Sequence, residues 1–378
     1  MAAGHEVFPF TIHNETVFSR STALDKAMIA WRAPHNQTSY QSILDFLKVV
    51  RPDIGHVHNW FPVISPAVYT AHNSLGIPVV QTLHNYRLGC ASGTFRRNGK
   101  SCNLCTVKNN RAAVSKRCYR GSLVGSIAWK RMIDQGWKND TFTTGVSHYI
   151  SPSREVADRH IEMGIPPERI SIIPNACEDP FEERSTVPPK ALPGSVVFIG
   201  RMVAEKGVDT LLEAWKLVKQ SNPDSDSWTL TLIGGGPELE NYTAQSSGDP
   251  SIHFTGQLPR KEALEKVLAA SISVSPSKWA EPFGLGVIES MAAEKAVIAS
   301  NLGGPSEIIT HDEDGLLIEP GSAIELADSL ECLLKDSKRT VQLGRAARQK
   351  YRAIYQPSAH AHSLIGLFES LNESRIAV

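Results

Sequence analysis

The stretch "VSPSKWAEPFGLGVIESMAAEKAVIAS", residues 274–300, passes from an apolar β-branched segment through a turn marked by proline and glycine. It continues into a helical pattern and returns to a second apolar segment. The outer segments belong to "SISVSPS" (271–277) and "AVIASN" (296–301). Continuous apolar strands joined by a helix imply parallel pairing in a sheet covered on both faces. Gly284 and Gly286 are poor residues for a helix interior, so they mark where the helix opens. Glu281 precedes that opening, and Glu289 lies one to two turns inside it.

The same theme runs through the whole chain. In the first half the strand candidates are 5–10, 53–58, 77–84 and 141–148. In the second half they are 195–200, 228–234, 251–256, 271–277 and 296–301, with helical patterns such as "GVDTLLEAWKLVKQ" (207–220) between them. Strand–helix alternation predicts an α/β protein with two doubly wound, Rossmann-like domains. The first domain is expected over 1–182, with a cysteine-bearing insertion at 88–120. A proline-rich linker follows at 183–194. The second domain is expected over 195–356, and a final helix, 357–378, packs back on the first domain. Two such domains joined by one linker leave a cleft, with ligands at the carboxyl ends of the strands. The chain enters at "AAGHEV" as though at a second strand, so a first strand–loop–helix of about 30 residues is expected to be missing.

With 378 residues, 41% hydrophobic and 21% charged, the chain is large enough for two cores. The 39 basic and 39 acidic residues balance, which argues against general nucleic-acid binding. No apolar run approaches the roughly 18–20 residues of a membrane span. The amino terminus lacks the basic-then-apolar pattern of a secretion signal. These features place the chain in the cytosol, where its six cysteines serve as thiols or metal ligands rather than disulfides.

Chemistry gathers at the predicted strand ends. A helix opening at Gly284 directs free N–H groups and a positive dipole end toward an anion, and glycine lets a ligand approach the backbone. Carboxylates such as Glu281 and Glu289 accept hydrogen bonds from the paired hydroxyls of a sugar or ribose. A ligand with phosphate between two sugars, a nucleotide-sugar, fits that order; a plain turn and a helix with one surface acid fits it too. In "FIGRMVAEKGVDTLLEAW" (198–215), Gly200 ends a strand and is followed by Arg201 and Lys206. Two cations at a strand-to-helix turn make a diphosphate clamp, or an ordinary solvated loop.

Several stretches together resemble one family. "GRMVAEKG", "IGGGPELE", "FTGQLP", the opening stretch and "GLLIEPG" resemble, in order, the donor domain of retaining GT-B fold glycosyltransferases, glycosyltransferase family 4. Upstream, "RPDIGHVHNWFPVISPAV", "IPVVQTLHNYRLGC" and "YISPSREVADRHIEMGIPPERISIIPN" continue the likeness. The E-x7-E spacing of Glu281 and Glu289 around proline, phenylalanine and glycine is its most specific element. The resemblance implies a hexosyl transfer from a UDP- or GDP-linked sugar to a glycan or lipid-linked saccharide, in bacterial polysaccharide or glycolipid biosynthesis. Arg201 and Lys206 would bind the donor diphosphate, Glu281 the donor sugar and Glu289 the ribose. The backbone at Phe283, Gly284 and Leu285 would meet sugar or phosphate. Gly200 would end the clamp strand, Gly256 and Leu258 would line the base pocket, and His84 would face the donor sugar from the first domain. No catalytic metal is implied, because cations and a helix start stabilise the leaving phosphate. The family's glycine-rich turn after its first strand is the part expected to be missing, which bears on activity.

Two further features lie outside that frame. Cys90, Cys102, Cys105 and Cys118 form C-x11-C-x2-C-x12-C in a loop-rich insertion. A structural zinc site and four unligated thiols both fit that spacing. Residues 96–138 carry eleven Lys or Arg and one acid, Asp134, around the apolar "GSLVGSIAWKRMIDQGWK". That composition suits an interfacial contact at the inner face of a membrane, or a lipid-diphosphate acceptor, or a solvated loop on a core helix. Trp60 and Phe61 in "HNWFP" suit either the acceptor cleft or the core. Competing functions are a nucleotide-sugar epimerase, a binding remnant without activity, and a pyridine-nucleotide dehydrogenase suggested by "GGGPE". The last lacks G-x-G-x-x-G at a helix start.

Overall fold

The structure, a computed structural model, describes residues 4–19, 22–181, 191–223 and 225–376. It divides into two compact units, Met1–Ile173 with Ile365–Val378, and Pro174–Leu364. Most of the expected linker, residues 183–190, lies outside the described residues. Both units are α/β with Rossmann-like parallel sheets, as the sequence pattern implies.

In the first unit, strands β1 (Gly55–Val57), β2 (Val79–Thr82), β5 (His148–Ser151) and β6 (Ile170–Ile172) form a parallel sheet in the order β1-β2-β5-β6. All four residues of β2 are buried, as both-face coverage requires. A small antiparallel hairpin, β3 (Arg96–Arg97) with β4 (Lys100–Ser101), lies in the cysteine-bearing insertion. The long helix Leu123–Lys138 buries Ala128, Trp129, Met132, Ile133 and Gly136 at helical spacing. In the final helix, Pro357–Ile376, the Phe368 ring meets the His56 ring edge-on at 5.5 Å.

The second unit holds six parallel strands: β7 (Ser195–Ile199), β8 (Thr229–Ile233), β9 (Ile252–Gly256), β10 (Ile272–Ser275), β11 (Ala296–Ser300) and β12 (Leu316–Ile318). Their order is β12-β11-β10-β7-β8-β9. The chain therefore winds outward in one direction after β7 and in the other after β10. The helix Val208–Ser221 shows why the alternation folds this way. Val208, Leu211, Leu212, Trp215 and Val218 fall on one face and are all buried, against Leu230 and Leu232 of β8 and Leu326 and Leu330 of the helix Ala323–Lys335.

Two strand expectations are corrected. Residues 5–10 form no strand, and Val7 and Phe8 there are exposed. In 141–148 only His148 is strand. After the preceding helix the chain wraps in a turn, with the Thr144 amide donating to the Asp140 carbonyl at 2.8 Å, and this outcompetes extended structure. The three-residue β6 and β12 are strands that the sequence pattern did not single out. No helix among the described residues is long and apolar enough to cross a membrane.

Candidate functional site

Strands β7 and β10 are neighbours in register, with Ile272 opposite Val196. Their following crossovers leave in opposite directions. Such a switch point opens a crevice at the carboxyl ends of the strands, where ligands of doubly wound sheets bind. The two loops that leave it carry most of the site residues expected from the sequence.

After β7 come Gly200 and Arg201, then a turn of 3-10 helix, Ala204–Lys206, and Gly207 before the helix Val208–Ser221. Gly207 has φ 70°, and a Cβ there would lie 1.9 Å from the Pro276 carbonyl oxygen. The Lys278 amide donates to the Glu205 carbonyl at 2.8 Å. Glycine thus lets the loop after β7 press against the loop after β10. The contact puts Lys206 Nζ 2.8 Å from Glu281 Oε2. The Arg201 side chain is exposed and forms no ion pair among the described residues.

After β10, Glu281 is 7% exposed and pairs by its backbone with Gly303. Its second oxygen, Oε1, accepts from the hydroxyl of Ser277, itself buried. Both carboxylate oxygens therefore have donors, and the head group is fixed in orientation. Ser277 lies within the strand-end stretch 275–281 that the sequence marks, but no motif there assigns it a role of its own. Its only signal was its place four residues before Glu281.

Gly284, with φ 114°, ends this loop and caps the helix Leu285–Ala292 without any side-chain capping bond. The first amides of that helix have no intrahelical acceptors. Leu285 is half exposed, whereas the Phe283 ring is buried against Tyr355. Only the backbone at Phe283 remains for a ligand. Glu289, on the same helix, pairs with the mostly exposed Arg260, Nη1 to Oε1 3.0 Å. Arg260 also went unremarked in the sequence, because a contact across 29 positions leaves no local period. Gly256 closes β9 with φ 68°, and Leu258 packs beside Val197 and Ile233.

The run "GGGPE" has a structural explanation. A Cβ at Gly234 would lie 1.9 Å from the Gly200 oxygen, and one at Gly236 2.4 Å from the Met202 oxygen. These glycines admit the β7 loop rather than a dinucleotide, so the dehydrogenase reading loses its one signal.

His84 lies in the other unit, at the end of β2. Its Nε2 is 2.8 Å from Nδ1 of His58, the two rings stack at 5.1 Å, and Nε2 of His56 is 2.7 Å from Thr82 Oγ1. Burial first, then the charge of His58, lowers the His84 pKa to about 4, so the imidazole is neutral near pH 7. A cavity of about 40 Å³ is lined by His58, His84, Arg87, Trp60 and Phe61. Trp60 and Phe61 are buried and pack on Tyr69, Phe142 and Tyr119. They serve the core of this unit.

The four cysteines of the insertion are open, in sequence, to two readings, a zinc site or unligated thiols. All six cysteines are free. Among the described residues no three His, Cys, Asp or Glu side chains stand as a metal-ligand set, so the zinc expectation for Cys90, Cys102, Cys105 and Cys118 is not supported. Cys90 instead shares a hydrogen bond with Ser92 at 3.2 Å. Burial first, and then the neighbouring thiols, raises the pKa of Cys105 and of Cys118.

Comparison with known proteins agrees with this layout. The family described as Glycosyltransferase Family 4 matches residues 1–179, and the family described as Glycosyl transferases group 1 matches residues 182–350. An exopolysaccharide phosphotransferase of Streptomyces coelicolor is 30% identical over 191 residues, 50% of this chain and 19% of its own length. A glycogen synthase of Mycobacterium tuberculosis is 26% identical over 307 residues, 79% of this chain and 64% of its own. The chain thus spans less than two thirds of either relative. A GDP-mannose-dependent phosphatidylinositol monomannoside mannosyltransferase of M. tuberculosis is 34% identical over 41% of this chain and 42% of its own. Among solved structures, Anabaena HepE in complex with UDP superposes with a TM-score of 0.64 at 18% identity, over 88% of this chain and 82% of that one.

Proposed function

This chain belongs to the glycosyltransferases of the GT-B fold, family 4, and from that premise we propose that it moves a hexosyl group from a UDP- or GDP-linked sugar to a glycan or lipid-linked saccharide. The observation that carries the reading is the constellation at the switch point. Lys206 from one loop pairs with Glu281 from the other, the exposed Arg201 stands on the first loop, and the uncapped helix start at Gly284 ends the second. One solved relative is a complex with UDP and one curated relative is GDP-mannose-dependent, which supports a nucleotide-sugar donor.

Lys206, Arg201 and the amides at Leu285 and Gly286 stabilise the charge that develops on the departing diphosphate. This role for fixed cations calls on no divalent metal. Glu281 orients Lys206 and accepts from donor-sugar hydroxyls; with both oxygens already held, it suits binding better than nucleophilic attack. Glu289 accepts from the ribose, with Arg260 moving aside or sharing it. Transfer passes through an oxocarbenium-like state, as in glycoside hydrolysis, with retention by attack on the face the phosphate leaves. Within the first unit, neutral His84 is the residue we assign to contact with substrate. The reaction belongs to bacterial polysaccharide or glycolipid biosynthesis, in the cytoplasm.

A screen of UDP-, GDP- and ADP-sugars for hydrolysis and transfer tests the proposal. Turnover of one donor, lost in Lys206→Ala, is the expected result. Binding of a donor without turnover on any saccharide acceptor would leave a binding remnant, and failure to bind any of them would overturn the reading.

A further inference from the structure

Two helices of the first unit turn apolar side chains outward. On the helix Ala23–Arg32 they are Leu24, Met28 and Trp31, which are 80%, 50% and 70% exposed. Their spacing of four and three makes one stripe. On the helix Leu123–Lys138, Leu123, Val124 and Ile127 are all at least 42% exposed. Their stripe continues down the same face as Lys130 and Arg131. The opposite face of this helix already supplies the core, so the outward stripe is surplus to folding.

Arg131 joins the two stripes. Its guanidinium sits 4.0 Å from the centre of the Trp31 ring, and its Nη1 donates to the Trp31 carbonyl at 3.3 Å. Arg111, Lys116, Arg117 and Arg120 stand exposed before the second helix. The acids nearby are engaged: Asp25 caps its own helix with Thr22, and Asp134 pairs with Lys130. A concavity of about 530 Å³ opens on this face between Arg111, Val114, Ile127 and Arg131.

We propose that this face docks on a bilayer surface rich in anionic lipid. Leucine, methionine, isoleucine and tryptophan enter the acyl boundary, while lysine and arginine stay at the level of the phosphates. Charge selects this occupant. A second copy in a twofold contact would set the same cations against each other, and a nucleic acid would leave the apolar stripes in water. The inference does not rest on the donor site and adds a membrane address to the proposed transfer.

Co-sedimentation of the full chain with vesicles tests it. Binding at least about tenfold stronger to phosphatidylglycerol/phosphatidylcholine vesicles than to phosphatidylcholine alone is expected, falling as salt rises. The double variant Leu123→Ser, Ile127→Ser and the double variant Arg111→Glu, Arg131→Glu should each lose most of that binding. Ile324→Ser, an exposed residue of the second unit, should leave it unchanged. Equal binding to both vesicle types, binding to neither, or full binding by both double variants would overturn the proposal. So would an apolar double variant that turns a dimer into a monomer in light scattering, because the face would then join two copies.

Discussion

At Glu281, two donors from different loops meet one buried carboxylate. Lys206 reaches Oε2 from the β7 loop, and Ser277 reaches Oε1 from within the β10 loop. Removing either partner leaves a buried acceptor short of a donor, which costs about 1–3 kcal/mol. In the proposed transfer Lys206→Ala also removes a cation from beside the leaving diphosphate, so a fall in kcat/KM of about 100-fold or more is expected in a donor-turnover assay. Ser277→Ala should lower kcat/KM by less than Lys206→Ala, with Ser277→Thr restoring most of it. If Ser277→Ala proved as harmful as Lys206→Ala and threonine gave no rescue, the hydroxyl would not be acting through Glu281. The sequence named Lys206 and Glu281 but not the bond between them. That bond spans 75 positions, and no local period records such a contact.

At the scale of elements, strand and helix periods were legible wherever an element was long and buried on a regular face. The helix Val208–Ser221 and the strands β7, β8, β10 and β11 are cases. Legibility failed at residues 5–10, where apolar composition imitated a strand that has no partner, and at 141–147, where a turn closes the preceding helix. Gly234 and Gly236 are a different case: they make room for a neighbouring loop, which sequence alone cannot separate from room for a ligand. Gly207 combines both demands, a positive φ and a neighbour at 1.9 Å, whereas Gly321 has φ 83° and open space. Gly207→Ala should therefore destabilise by more than about 1 kcal/mol, and by clearly more than Gly321→Ala. Thermal melting of the two variants checks this, and equal shifts would deny the packing of the two loops.

Across the whole molecule, the two units differ in their response to acid. His72, His84, His148 and His160 all lie in the first unit, and burial lowers the pKa of each, to about 4 for His84 and His160. Unfolded histidine titrates near 6.5, so between roughly 6.5 and 4 the unfolded chain binds more protons than the folded one. The stability these groups contribute is complete above about pH 6.5 and is lost as pH falls toward 4. Limited proteolysis across that range should cut the first unit, residues 4–173, before residues 191–364; the reverse order would contradict it. The division into two α/β units could be read from the strand–helix pattern, but the switch point between β7 and β10 could not, because strand order is set by packing between distant segments. The central claim is that Arg201 and Lys206 clamp a nucleoside diphosphate at that point. Titration calorimetry of UDP, GDP and ADP into the wild type, Arg201→Ala and Lys206→Ala tests it most directly. One nucleotide bound by the wild type and weakened at least about tenfold in each variant is the expected result; unchanged affinity in both variants would contradict it.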